Sequence, residues 1–343
     1  MKEKWKTGLK CAAGALAALA VLNLFCAWYY NPTAYEWDEA RATDTIRTPG
    51  AFTSRATEGF AWMRMDANGY NNAGTPGEDG VSVLMMGSSH TEALNVMQDE
   101  SASARLNELL AAGGADGMVY NIGISSHSLA RCVANLGRAL ERFQPSDYVV
   151  LETQDVELPT ASFALAYYDT FERLSATDVP LPDWITGQPL SRALYRQIAS
   201  LTGGEEGADD SDDSESFELT GENYGDYVDM LCFWLKPVRE TAEEHGVEVV
   251  IYYHPHLVLQ EDGSAVPSTP ELYLQAFAEA ASRVGITFLD LTQDFLDAYE
   301  SEHILPHGFV NTAAGEGHLN AEGHEIIARA LYEIIQQEGG VGA

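Results

Sequence analysis

Val81 to Leu94, VSVLMMGSSHTEAL, is the stretch that decides the fold. Val81, Val83, Leu84, Met85 and Met86 make a short apolar run of strand length bounded by turn-formers. Gly87 breaks it, two serines and a histidine follow, and Thr91-Glu92-Ala93-Leu94 opens a helical pattern. A buried strand turning sharply into a helix sets its turn residues at the carboxyl edge of a parallel sheet, where open α/β folds hold their ligands. A serine there has the first N–H groups of the helix beside it, positioned to hold an oxyanion. The plainer reading of the same residues is an N-cap that only starts the helix.

Outward from this stretch, strand and helix signals alternate. Residues 99–112 read as a helix and 118–122 as a second strand leading into NIGISSHS. Leu129, Cys132, Val133, Leu136, Leu140 and Phe143 recur at helical spacing, and 147–152 read as a third strand. Residues 156–222 interrupt the rhythm and contain GGEEGADDSDDSES at 203–216, a low-complexity acidic loop whose composition predicts disorder. A helix over 224–245, a strand over 247–253, a helix carrying Tyr273, Phe277 and Val284, a fifth strand over 286–289 and a helix from Ala321 complete the pattern. The expected fold is α/β: a three-layer α/β/α sandwich around a five-stranded parallel sheet.

The amino-terminal end differs. Residues 1–10 are basic, and 11–30, CAAGALAALAVLNLFCAWYY, carry no charge. Twenty residues at helical rise match a hydrocarbon layer of ~30 Å. Trp28, Tyr29 and Tyr30 form an aromatic belt, the lysines mark the cytoplasmic side, and no small-x-small cleavage site follows. The expectation is a single-pass signal anchor at the cell membrane with the remainder extracytoplasmic. Residues 31–80 are a polar, turn-rich juxtamembrane segment, either a stalk or a wrap around the domain expected over 81–340.

The chain of 343 residues has 52 acidic against 19 basic residues and a formal net charge of −33. Such a body repels phosphate backbones, which argues against nucleic-acid binding. Its four cysteines show no CxxC spacing, which excludes zinc-ribbon clusters. Cys132 and Cys232 either pair or remain buried thiols. His254 and His256 flank Pro255 with the spacing of a zinc pair, but no third ligand is evident nearby, so no metal is assigned.

Four loops fall at strand ends or before the last helix: GSSHT (87–91), NIGISSHS (121–128), ETQD (152–155) and GEGHLNAEGH (315–324). This ordered set resembles the SGNH (GDSL-type) hydrolase superfamily over about 81–335, outside the 156–222 insertion. The resemblance makes Ser89 the nucleophile and an oxyanion donor through its own N–H, with Ser88 standing at the family's aspartate. Asn121, Gly123 and Ser126 match the second block, with Ser126 in the place of the oxyanion glycine. Gln154 stands near the third-block asparagine. His318 takes the base position, and Gly315 stands where the family has its acid. For the group orienting His318 the candidates are Glu316, Asp290 or Asp294, or a backbone carbonyl that would give a Ser–His dyad; the spacing favours the dyad. His307 is placed as a substrate contact, and Gly87 and Glu316 as supporting residues.

The resemblance implies a serine esterase or O-acyltransferase acting on ester-linked acyl groups of cell-envelope or exopolysaccharide glycans, with no cofactor. Its partners would be an acylated glycan or an acyl donor, and a multi-spanning membrane acyltransferase is a candidate partner. The alternative is a non-catalytic SGNH-like protein that binds glycan or such an acyltransferase.

Overall fold

The structure is a computed structural model, and it describes residues 2–31, 33, 35–38, 42–77, 80–115, 117–154, 156, 185, 188–191, 193–194, 218–337 and 339–341. The acidic loop at 203–216 and Asp155 lie outside the described residues, as does most of the 156–222 insertion.

Strands β6 (Val83–Met86), β7 (Val119–Asn121), β8 (Tyr148–Thr153), β9 (Glu248–Tyr253) and β12 (Thr287–Asp290) form one parallel sheet in the order β12-β9-β8-β6-β7. The expected strands are therefore present, with ends shifted by one or two residues. β6 and β8 are buried along their whole length because helices cover both faces. Period-two alternation then divides each strand between two cores. Leu84, Met86, Val149 and Leu151 pack with Leu136, Leu231 and Phe277 on helices α4 (Leu129–Phe143), α5 (Tyr224–His245) and α6 (Glu271–Val284). Val83, Met85, Val150 and Val250 pack with Leu106, Phe295, Ile327 and Leu331 on α3 (Ala102–Ala112), α7 (Thr292–Glu302) and α8 (Ala321–Gln337). Each fully buried Leu, Ile or Phe contributes roughly 1.5–3 kcal/mol. The α/β/α sandwich rests on these two layers. The hairpin β10 (Leu257–Leu259) and β11 (Ala265–Pro267), and α7, were not anticipated. Cys132 and Cys232 are free thiols.

Ahead of the sandwich, α1 (Lys2–Tyr29) is long and apolar enough to cross a membrane over Lys4–Tyr29. It runs directly into β1 (Tyr30–Asn31), which pairs with β4 (Phe52–Arg55), itself paired with β5 (Ala61–Arg64), all antiparallel. β2 (Tyr35–Trp37) and β3 (Thr45–Arg47) form a second small ribbon. The 42–77 stretch wraps the sandwich. Asp38 pairs with Arg142 at 3.1 Å, and Asp44 pairs with Arg131 and Arg138 of α4. Asp66 accepts the Tyr120 hydroxyl at 2.5 Å from the end of the sheet. This fixes the β4–β5 hairpin, and the 56–60 loop at its tip, over the carboxyl edge of the sheet.

Candidate active site

The nucleophile turn is built by β6 ending at Met86 and α2 (Ser89–Glu92) starting three residues later. The two serines divide the two readings of that turn between them. Ser88 is the N-cap, its Oγ accepting from the His90 N–H at 3.2 Å. Ser89 is the first helical residue, where a backbone N–H has no acceptor within the helix.

Glu152, at the end of β8, clamps this turn from below. Its carboxylate accepts from the Ser88 N–H at 2.5 Å, the Ser88 hydroxyl at 2.9 Å and the Thr91 hydroxyl at 2.9 Å. His254 Nε2 lies 3.2 Å from its other face. Burial alone would push this carboxyl up, but the His254 contact, the charges around it and the Ser88 N–H bring it down to about 2. Gly87 is required here, because a Cβ would overlap the Thr91 hydroxyl and the Glu152 carboxylate.

His318 reaches Ser89 from the loop before α8, with Nε2 3.0 Å from the Ser89 Oγ. Its Nδ1 lies 2.7 Å from Glu58 Oε2, and its backbone N–H donates to Glu58 Oε1 at 2.6 Å. A carboxylate only accepts, so Nδ1 carries the proton and Nε2 is left to accept the Ser89 hydroxyl. Burial raises the Glu58 carboxyl, and the two hydrogen bonds and charge of His318 outweigh it, holding the group below its ordinary range. Gly317 (φ +89°) is the second obligatory glycine: a Cβ there would strike the Glu58 carboxylate. Asn311 holds the Glu58 loop by accepting from Gly59 N–H at 2.9 Å and donating to the Ala56 and Gly59 carbonyls at 2.9 and 3.0 Å.

This corrects the expectation of a Ser–His dyad oriented by a backbone carbonyl. The carboxylate is present, but it comes from the 31–80 segment. Gly315 adopts φ +78°, and Glu316 is exposed, 3.9 Å from His256 and not on His318. Glu316 therefore does not support the base as expected. His307 is 2% exposed and stacked against His254 at 5.6 Å between centroids, so it offers a substrate little surface, at the floor of a groove beside the site. Burial and its histidine neighbours hold its pKa down at about 2, and its side chain is neutral.

The second-block loop lies against the nucleophile turn. Ile124 N–H donates to the Gly87 carbonyl at 3.0 Å, and Asn121 Nδ2 donates to the Thr91 carbonyl at 2.6 Å. Gly123 packs on the α2 backbone, where a Cβ would come within 2.7 Å of the Glu92 nitrogen. Ser125 N–H is spent on Glu92 Oε2 at 2.9 Å. Ser126 is exposed with φ +69°, a left-handed backbone that favours glycine and accounts for the family's preference there. Gln154 is half-buried past the end of β8 and makes no hydrogen bond to another described residue near Ser89.

Two residues central to this arrangement were missed from sequence. Arg47 on β3 donates to both oxygens of Glu92 at 2.7 and 3.0 Å, and both side chains are buried. Ser125 Oγ also donates to Glu92. One buried ion pair thus ties the N-terminal segment, the nucleophile helix and the second-block loop together. Glu58 is the other. Reading FTSR and AWMR as paired strands would have put Glu58 at a hairpin tip, but no spacing links that tip to His318. His254 and His256, at the spacing of a zinc pair, part company: His254 is buried on Glu152 and His256 is on the Glu316 side.

No family model and no curated protein matches the chain. Among solved structures it is similar to the psychrotrophic esterase EstA from Pseudoalteromonas sp. (13% identity, 75% of this chain and 97% of that chain, TM-score 0.40). It is also similar to the lipase/acylhydrolase from Enterococcus faecalis (12%, 75% and 96%, 0.41) and to the acetyl xylan esterase AlAXEase (14%, 74% and 100%, 0.40). The four ordered motifs, the parallel sheet that carries them and the approach of His318 to Ser89 at its carboxyl edge have the arrangement that the resemblance to SGNH hydrolases implies.

Proposed function

We propose that this protein is a serine esterase or O-acyltransferase that works through an acyl-serine intermediate, held at the outer membrane–water boundary by α1. The observation that carries the proposal is the continuous array from Ser89 Oγ through His318 to Glu58, at 3.0 and 2.7 Å. Ser89 Oγ attacks the ester carbonyl while His318 Nε2 takes its proton. Glu58 fixes the imidazole tautomer and stabilises the imidazolium. The oxyanion is held by the Ser89 N–H and, from the loop packed on it, the Ser126 N–H, with Gln154 as a third candidate donor. His318 returns the proton to the departing alkoxide, leaving the acyl group on Ser89. Water or a glycan hydroxyl, deprotonated by His318, then takes the acyl group and regenerates the serine.

Acylated envelope or exopolysaccharide glycans fit the position of such a site, and a multi-spanning acyltransferase fits as the source of acyl groups; both follow from the family resemblance. Against the non-catalytic alternative stands Glu58, whose carboxylate lies 2.7 Å from His318 Nδ1 although position 315 carries no acid. The test is a fluorophosphonate probe. The full chain should be labelled, Ser88→Ala should keep labelling, and Ser89→Ala should remove it. A folded wild-type chain that neither reacts with the probe nor turns over an aryl acetate would return the binding reading.

A further inference from the structure

The β4–β5 hairpin that carries Glu58 has an outward face of a different character from the rest of the molecule. Between Ala51 and Arg64 the only acidic residue is Glu58, which is turned inward onto His318, while Arg55 and Arg64 are basic. That is an acid-poor patch in a chain of net charge −33. Period two places Phe60, Trp62 and Arg64 on one side of the strand, and the register sets Phe52 opposite Arg64. Phe60 is 58% and Trp62 38% exposed. Trp28, from the last turn of α1, lies edge-on to both Phe52 and Trp62 at 5.8 Å between centroids, and Phe60 meets Trp62 at 5.4 Å. The aromatic end of the apolar helix is therefore continuous with an aromatic strip on the domain. Beside that strip runs an apolar groove of about 650 Å³, lined among others by Tyr29, Phe60, Phe309 and Val310, with Val310 fully exposed at its lip.

We propose that this face, Trp28, Phe52, Phe60, Trp62 and Val310, seats in the interfacial layer of the bilayer that α1 crosses, so that the groove opens toward lipid. The proposal rests on the reading of α1 as a membrane span. Three observations choose lipid as the occupant. α1 is unburied along its apolar window and delivers Trp28 and Tyr29 directly to the patch. Tryptophan and tyrosine prefer the headgroup boundary, where the ring is shielded and its N–H or O–H stays wet. Arg64, exposed on the same side of β5 as Trp62, suits anionic headgroups, from which the acidic remainder is repelled. The groove walls are the 56–60 loop and the 305–315 loop, the same loops that hold Glu58 and precede His318. Seating would thus press on the two segments that complete the catalytic array.

The test uses the full chain reconstituted in phosphatidylcholine–phosphatidylglycerol vesicles, with and without lipid brominated along the acyl chain near the headgroup. The emission of Trp62 alone is the difference between wild type and Trp62→Phe. It should be strong in plain vesicles and largely lost in brominated ones. In the double variant Phe60→Asp, Val310→Asp, the Trp62 emission should return in brominated vesicles while the chain still floats with them. Equal Trp62 emission in both vesicle types, with the chain floating, overturns the seating and leaves the span intact. Shielding of Trp62 from aqueous quencher without bromine quenching, in a chain that cross-links to itself, would put a second copy on the face and overturn it equally. A chain that does not float refutes the span, and the seating with it.

Discussion

The two regions that meet at His318 are organised on opposite principles. The described residues between 81 and 337 centre on a parallel sheet whose middle strands β6 and β8 are buried on both faces, and whose candidate site sits in loops at one sheet edge. Residues 42–77 form short antiparallel strands with little core of their own, Met63, Met65 and Ala61 packing on Leu94. They are held to the sandwich by Asp44, Asp66 and Arg47, each paired across the boundary, and Asp38 just before them pairs with Arg142. In the mechanism proposed above, the larger region supplies nucleophile and base, and the smaller supplies the acid and the ion pair beneath the nucleophile helix. Such a triad is completed in space although one of its sequence blocks is degenerate.

The sharpest way to break that comparison is to remove the larger region's share. His318→Ala should lower aryl acetate turnover by ~10⁴-fold or more with folding unchanged by circular dichroism. A residual rate close to wild type would mean that Ser89 is activated from elsewhere. Next comes the smaller region's share. Glu58→Gln keeps the shape and removes the charge that stabilises the imidazolium, so kcat should fall by roughly 10²–10⁴-fold with little change in KM, whereas Glu316→Gln should stay near wild type. The opposite ranking would return the acid to the motif block.

Arg47 tests the join itself. Arg47→Met leaves Glu92 as a buried unpaired charge, and the loss should approach 3–5 kcal/mol in urea unfolding, with probe labelling of Ser89 slowed. A loss within ~0.5 kcal/mol would show that the two regions are not coupled through Glu92.

The smallest expected effect is on pH dependence. Burial holds His127 at about 4, His324 at about 3 and His307 at about 2, each below its value in an unfolded chain near 6.5. Between those values the unfolded chain binds protons that the folded one does not, so stability falls as pH drops from about 6.5 toward 4. Each group contributes up to about 1.4 kcal/mol per pH unit. Glu152, at about 2 in the fold, adds the same sign of effect below its ordinary value of 4.5. His307→Gln should therefore flatten the fall of Tm between pH 6.5 and 4 by about one proton's worth. An unchanged slope would mean that His307 is not a buried neutral group.

What the sequence made legible follows the same division. Buried parallel strands are short unbroken apolar runs, so 81–86, 147–152 and 247–253 announce themselves, and their carboxyl ends name Ser89 and His318 without further information. Amphipathic helices such as Leu129–Phe143 and the one beginning at Ala321 are legible by period. Glu58 was not. Its strands are four residues each, its loop has no motif, and its role depends on a partner reached only through tertiary packing. The Glu152 clamp is hidden differently: the third block of the resemblance points to an amide at Gln154, while the carboxylate two residues earlier holds the turn.

The contact between Glu58 and His318 joins residues 260 positions apart. A chain made from its amino terminus has its acid in place long before its base exists, and such distant pairings are the slow steps of folding. Nascent chains ending short of His318 would carry the proposed nucleophile and acid with nothing to pass a proton between them. The order of synthesis thus leaves the proposed array incomplete until the loop before the last helix has been made.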